Sequence, residues 1–231
     1  MNHATGSVGL LTSSTDLCML DSAGRAGLAY VWLDAEHTGL APAALAAAVR
    51  VLRCHGTEVH VRVPSTDFDT LVTYANTGVD EVVLPRIQSL AEVQAAWASL
   101  SFPPTGCRPR QVVAATGWGS DYAGGPRLSV IIETIQAVEA LPELIKYRPI
   151  SHFWIGHKDL TDDYQRHGSN SAEISDIIAG VIGQLETAGS NFGWAVTDPD
   201  NITQVWKAGG ARCALYWDVF LQQFFRGLSG G

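Results

Sequence analysis

The chain has 231 residues, a formal charge of −8 and a 46% hydrophobic composition, enough apolar mass for one large barrel domain or two small ones. The acidic balance excludes nucleic acid and anionic membrane surfaces as general partners. It leaves room for an anionic small molecule, because a metal ion or an arginine reverses the sign locally.

In chain order, β-rich runs are predicted at 7–11, 29–34, 58–63, 81–85, 128–133, 152–156, 191–196 and 212–216. Between them, Ala- and Leu-rich segments with helical spacing predict helices over 42–55, 90–100, 135–145 and 172–188, and 219–225 reads as a short apolar helix near the end. Strands alternating with helices specify βαβ units and a parallel sheet. Strands apolar on both faces fit burial under those helices. Eight such units favour a single (β/α)8 TIM barrel over residues 1–231. A weaker ninth run at 111–114 keeps an open doubly wound sheet as the alternative. Gly-, Pro- and polar-rich stretches at 101–125 and 161–170 are predicted loops, both placed to overhang the barrel mouth. No apolar run approaches the roughly 18–20 residues that span a bilayer, and residues 1–6 lack the basic-then-apolar order of a secretory signal. Cys18, Cys54, Cys107 and Cys213 form no CxxC pair and are read as buried free thiols of a cytoplasmic protein.

In a parallel barrel, chemistry collects where strands end. Here the strand ends are polar although the strands are apolar: Asp34, Glu36 and His37 after one, Arg62 in another, Arg86 after Leu84-Pro85, then Glu133, and Lys158-Asp159. Glu133 and Asp159 lie one βα unit apart, so their carboxylates can converge. Two hard oxygen ligands without soft ones suit Mg²⁺ best, with Mn²⁺ or Co²⁺ as options, and leave coordination positions for the ketone and carboxylate oxygens of a 2-oxo acid. Each acid alone also reads as a helix N-terminal residue favoured by the dipole. His37 is placed to relay protons or to be structural. Arg62 in an apolar run requires an anion. That anion is either a substrate oxygen or an internal partner such as Asp34 or Glu36.

The fragments WLDAEH (32–37), VRVP (61–64), GVDEVVLP (78–85), FPPTGCR (102–108), IIET (131–134) and GHKDLT (156–161) resemble, in order and spacing, the HpcH/HpaI aldolases, relatives of the citrate lyase β-subunit. The resemblance implies a homo-oligomer, hexameric or trimeric, with the last helix against a neighbour. It implies a divalent metal on Glu133 and Asp159 that helps form a pyruvate-type enolate. Arg62 would contact the enolate oxygen and His37 would transfer protons. The backbone N–H groups of Lys158 and Asp159 would hold the substrate carboxylate, with Asp34 and Glu36 supporting behind them. The implied activity is carbon–carbon lysis acting on pyruvate, oxaloacetate or a related 2-oxo acid. Decarboxylation, condensation or cyclisation at the same enolate, or a non-catalytic metal- or ligand-binding barrel, are the alternatives. Four positions depart from the family: Ile131 for a glutamine, Asn76 for an aspartate that pairs with the histidine, His157 for a proline, and Arg86 for a methionine-like residue.

Overall fold

The strands close in sequence order into a parallel barrel, β1 to β8, as the eight-unit pattern predicts. The structure, a computed structural model, describes residues 6–229; residues 1–5, where most of the start read above falls, and 230–231 lie outside the described residues. The elements run β1 (Ser7–Thr12), α1 (Leu17–Arg25), β2 (Tyr30–Asp34), α2 (Pro42–Arg53), β3 (Glu58–Arg62), α3 (Phe68–Ala75), β4 (Glu81–Leu84), α4 (Leu90–Leu100), β5 (Arg127–Ile132), α5 (Ile135–Leu144), β6 (Ile150–Ile155), α6 (His157–Arg166), α7 (Ser171–Thr187), β7 (Phe192–Val196), α8 (Ile202–Lys207), β8 (Arg212–Tyr216) and α9 (Trp217–Leu228).

Local chemistry marks most helix starts. The side chains of Asp16, Asp67, Ser89, Thr134 and Asn170 each accept a first-turn backbone N–H, which satisfies donors the helix itself cannot. Pro42 opens α2, where its missing N–H costs nothing. The main core lies between the barrel wall and the helices, with Leu45, Leu52, Leu71, Leu84, Leu100 and Leu128 fully buried.

Alternate residues of each strand face the barrel axis, and the register sorts them into layers. Tyr30 pairs with Glu58, Trp32 with His60 and Asp34 with Arg62; Ser129 pairs with His152 and Ile131 with Trp154; Ala195 pairs with Ala214. From base to mouth the interior is therefore polar, then aromatic and aliphatic, then charged. Small residues give the large ones room: a Cβ on Gly9 would lie 2.3 Å from the Tyr30 ring.

Four expectations are corrected. Of the 161–170 stretch only 167–170 is loop; α6 runs through Arg166. Its sequence is strongly polar, with Leu160 its one buried residue, and Leu160 and Tyr164 are too few apolar side chains to mark a helix although they share one face. The 111–114 run forms no strand and leads into a 3-10 turn over Ala114–Gly119, broken by left-handed Gly117 and Trp118. The 101–125 loop does not overhang the mouth. It joins the end of α4 to the start of β5, at the opposite end of the barrel, where Arg108 Nη2 donates to Asn76 Oδ1 at 2.8 Å. Asn76, which closes α3, is thus at that same end and does not pair with His37 within the chain. Finally, all four cysteines are free, yet Cys18, Cys54 and Cys107 are exposed and Cys213 alone is buried. Among the described residues no helix is long and apolar enough to cross a membrane.

Candidate active site

A cavity of about 420 Å³ opens at the C-terminal ends of the strands and is lined in part by His37, Arg62, Glu133, Lys158 and Asp159, within the size range of small-ligand sites. The residues read from the strand ends are therefore brought together. Asp34 and Glu36 stand directly behind them, joined to Arg62.

Arg62 is held from two sides. Its Nε and Nη2 donate to the two Asp34 carboxylate oxygens at 3.0 and 2.7 Å, and Nε lies 3.2 Å from Glu36 Oε2. A planar guanidinium makes such a two-point contact, which a lysine cannot. The internal partner is present, since Arg62 closes an ion pair with Asp34 and Glu36, and Arg62 also lines the cavity, with Nη1 outside those contacts. Glu36 is shared further, 2.9 Å from Arg86 Nε and 3.5 Å from His37 Nε2. His37 is exposed at the rim.

Glu133 follows β5 and is buried at 5% exposure. Arg86 N–H donates to its Oε1 at 2.6 Å; the backbone of Arg86 is left-handed there, at φ 50°, a conformation that costs free energy in a non-glycine residue. On the other side, a Cβ on Gly156 would meet the Glu133 Cβ at 2.7 Å and its Oε2 at 3.1 Å, so only glycine lets the end of β6 pass so close. Burial pushes the Glu133 carboxyl up to about 7, the Arg86 N–H opposes this, and the nearby Glu36 and Asp159 carboxylates push it further up. Three buried carboxylates (Asp34, Glu36, Glu133) meet one buried guanidinium, Arg62, while Asp159, Lys158 and Arg86 reach the site from exposed positions. Such a surplus of buried negative charge fits a divalent cation, whose hard-ion preference the all-oxygen donor set matches. Among the described residues no three His, Cys, Asp or Glu side chains are arranged to hold a metal; a two-carboxylate site leaves its other positions to water and substrate.

Asp159 is the third residue of α6. The first intrahelical hydrogen bond runs from Leu160 N–H to Gly156 C=O at 2.9 Å. The N–H groups of His157, Lys158 and Asp159 therefore have no acceptor in their own helix, and they face the end of the barrel where a carboxylate is electrostatically favoured. Asp163, one turn further on, accepts the Ile135 N–H at 2.9 Å, which ties the helix bearing Asp159 to the loop bearing Glu133.

Several lining residues were not named as site candidates from the sequence: Trp32, Trp154, Ala195 and Tyr216, and also His157, noted only as a departure from the family. His157 packs against Trp194, with ring centroids 5.1 Å apart. Parity offered a signal for the first three. Trp32, Trp154 and Ala195 lie two residues before Asp34, Gly156 and Thr197, so they share a face with the mouth residues. Ile131, in the place of the expected glutamine two residues before Glu133, is on this floor as well.

Among known proteins, a hydroxypyruvate/pyruvate aldolase of Roseovarius nubinhibens is 25% identical over 207 residues, covering 85% of this chain and 80% of the relative. A 4-hydroxy-2-oxovalerate aldolase of Rhodococcus jostii is 26% identical over 199 residues, covering 80% and 76%. The crystal structure of an HpcH/HpaI aldolase/citrate lyase family protein from Burkholderia cenocepacia shares the fold with a TM-score of 0.88 at 19% identity, over 97% of this chain and 93% of that one. The family model described as HpcH/HpaI aldolase/citrate lyase matches residues 7–221, nearly the whole described barrel, and the chain belongs to that family.

Proposed function

We propose that this chain is a divalent-metal-dependent lyase that makes or breaks a carbon–carbon bond next to a 2-oxo acid such as pyruvate or oxaloacetate, through its enolate. The observation that carries this is the convergence of Glu133, Asp159 and Arg62 on one cavity at the barrel mouth. Relatives carrying aldolase names, among them the two above, support it.

Glu133 and Asp159 hold the cation, Mg²⁺ by the donor set. Bound there, a divalent cation supplies Lewis acidity that lowers the cost of the enolate. The chain's own residues do the rest. The N–H groups of Lys158 and Asp159 receive the substrate carboxylate at the α6 N-terminus. Arg62, fixed by Asp34 and Glu36, presents Nη1 to the ketone oxygen, where negative charge develops as a proton leaves the neighbouring carbon. His37, at the rim beside Glu36, carries protons between that centre and solvent. Burial of Glu133 and the apolar floor keep the cavity water-poor, which strengthens each of these contacts.

The chain's association is proposed as well. In α9 no residue is buried, and Phe224, Phe225 and Leu228 are 53%, 56% and 71% exposed. We propose that this face is covered in a homo-oligomer; a sedimentation profile that stays monomeric at micromolar concentration would overturn that.

The test of the reaction is solvent-proton exchange at the pyruvate methyl group, followed by NMR with and without added Mg²⁺ or Mn²⁺. Metal-dependent exchange is expected, and its loss in Glu133→Gln and Asp159→Asn. Exchange that proceeds equally after chelation, or survives both substitutions, overturns the proposal.

A further inference from the structure

The cavity has two unlike walls. The charged wall holds Arg62, Glu133 and the start of α6. The wall toward the barrel axis is carbon: Leu11 on β1, Trp32 on β2, Ile131 on β5, Trp154 on β6 and Ala195 on β7. Leu11, Trp32, Ile131 and Trp154 belong to one packed cluster, and Tyr216 packs against it at the border between the two walls. The Trp32 and Trp154 rings lie 4.6 Å apart between centroids, inclined by 44°. The Nε1 atoms of both are buried and inaccessible, so what the cavity meets of each indole is ring carbon.

Ala195 shows how far this wall reaches. It is exposed, although it is an interior position of β7 between half-buried Trp194 and buried Val196. Its neighbour across the ladder on β8 is Ala214. Two methyl groups stand side by side in a layer that bulky branched residues usually fill; the cavity reaches Ala195, while Ala214 is packed inside the cluster. Ile131 presents no hydrogen-bonding group in the place where the resemblance implies an amide. A three-carbon oxo acid places its two oxygen-bearing carbons on the charged wall and has almost nothing to offer the carbon wall. A polyhydroxylated partner would strand its hydroxyls there without acceptors, a desolvation cost that apolar packing of its few carbons does not offset.

We infer that the carbon wall is a subsite for a hydrocarbon group, an alkyl chain or an aryl ring, so that this chain selects an apolar reactant over a hydroxylated one. The inference rests on the enolate chemistry proposed above for where the oxo-acid head lies. The hydrocarbon group can arrive on carbon 3 of the oxo acid or on the carbonyl compound with which the enolate combines. The chemistry of recognition is the same, and two arms of one experiment separate the sources.

In the first arm, pyruvate, 2-oxobutanoate, 2-oxopentanoate and phenylpyruvate are titrated into the metal-loaded protein by calorimetry. In the second, kcat/KM is measured for pyruvate with glycolaldehyde, propanal, pentanal and benzaldehyde. One arm is expected to rise about fourfold per added methylene, from the transfer of that group out of water, and glycolaldehyde is expected to be the poorest acceptor. Flat or falling series in both arms overturn the inference, as does a preference for glycolaldehyde. Ala195→Leu fills the space and Ile131→Gln makes the wall polar without adding bulk. Each is expected to cut the rise per methylene to less than twofold, with melting temperature read on the same preparations to show that they fold. A slope unchanged in both variants overturns the assignment of the wall. Pyruvate methyl exchange, measured in parallel, separates the two proposals. Exchange without a chain-length slope sinks the subsite alone, and a slope in binding without exchange sinks the enolate chemistry alone.

Discussion

The two ends of the barrel interior are built from the same residue types and behave oppositely. At the base, Arg212 Nη1 lies 2.8 Å from Glu81 Oε2 and Arg127 Nε lies 3.1 Å from it, while Arg127 also pairs with Glu58. Glu81 and Glu58 are both held down at about 2, Glu81 against its own burial chiefly by His60 and Arg212, Glu58 chiefly by its hydrogen bond to His60. At the mouth, Glu133 is pushed up to about 7 by burial with other carboxylates beside it. Buried acids matched with cations hold a fold together. Buried acids left in surplus are a standing demand for a cation, and that imbalance, rather than the presence of charge inside a barrel, marks the working end.

The largest expected effect breaks the two ends apart. Glu81→Gln removes a buried anion from two partly exposed guanidiniums, Arg127 and Arg212, and losing such a charged hydrogen-bond partner costs about 1–3 kcal/mol, or roughly 2–12 °C in melting temperature for a chain this long. The protein that remains folded should turn over normally. Glu133→Gln should do the reverse. Its native carboxyl titrates above the ordinary value, so its ionised form is a growing cost to stability as pH rises from 4.5 towards 7, and a full one beyond that. Replacing it with an amide should leave the metal-free melting temperature at pH 8 unchanged or higher, and reduce metal-dependent turnover to background. If Glu81→Gln is stable but inactive, the contrast drawn between the ends is wrong.

Arg62 belongs to both categories and should show both signatures. Arg62→Ala leaves Asp34 buried without its partner, and melting should fall by several degrees. Turnover of the folded fraction should fall by about 10²–10³, the usual loss for a donor facing developing negative charge. Arg62→Lys should recover part of the stability and little of the rate, since a flexible ammonium cannot hold Asp34 at two points and still face the cavity. A destabilised but fully active Arg62→Ala would leave it a structural ion pair only.

Most of this architecture was legible along the chain because its period is strong. Apolar runs of five or six residues, polar at one end, gave all eight strands and the mouth residues together. α6 was hidden because it buries Leu160 and almost nothing else, so its helical spacing rests on too few apolar residues to stand out from a polar loop. The place of the 101–125 loop was hidden for a different reason: a segment following a helix and preceding a strand belongs to the base, and composition does not report which end it faces. Gly156 and Arg86 show the limit. One is required by a Cβ that would collide with Glu133, the other contributes a backbone N–H, and neither spatial fact is written in residue type. The carbon wall was legible in principle, two residues back from each mouth position.

A smaller effect follows from the high carboxyl of Glu133. Proton and cation compete for the same oxygens, so apparent metal affinity should fall about tenfold per pH unit below about 7 and level off above it. Calorimetric titration of Mn²⁺ from about pH 6 to about pH 8 measures this directly. Glu133→Gln should bind weakly with a flat profile over that range, and a flat profile in the parent chain would show that Glu133 is not a ligand.

The smallest effect concerns how the two proposed ligands are kept in register. Glu133 and Asp159 sit on different βα units, and a cation site tolerates little error in their separation. Asp163 is the link, since it extends from the helix of Asp159 to the Ile135 N–H, two residues past Glu133, and is 17% exposed at its side chain with Arg166 3.5 Å away. Asp163→Ala leaves that N–H without its acceptor, a loss of about 1–3 kcal/mol, and frees the loop relative to α6. Metal affinity should weaken by about tenfold, within the 10–100-fold range seen when a residue supporting a metal ligand is lost. Asp163→Asn keeps an oxygen acceptor in the same place and removes the charge, so it should restore most of the affinity. The base of the barrel supplies the control. Asp80 plays an equivalent part there, its Oδ2 accepting Val59 N–H at 2.8 Å, and Asp80→Ala should lower melting without moving metal affinity. If Asp163→Ala behaves like Asp80→Ala, with stability lost and metal binding untouched, then Asp163 fastens the fold and has no part in setting the distance between the two carboxylates.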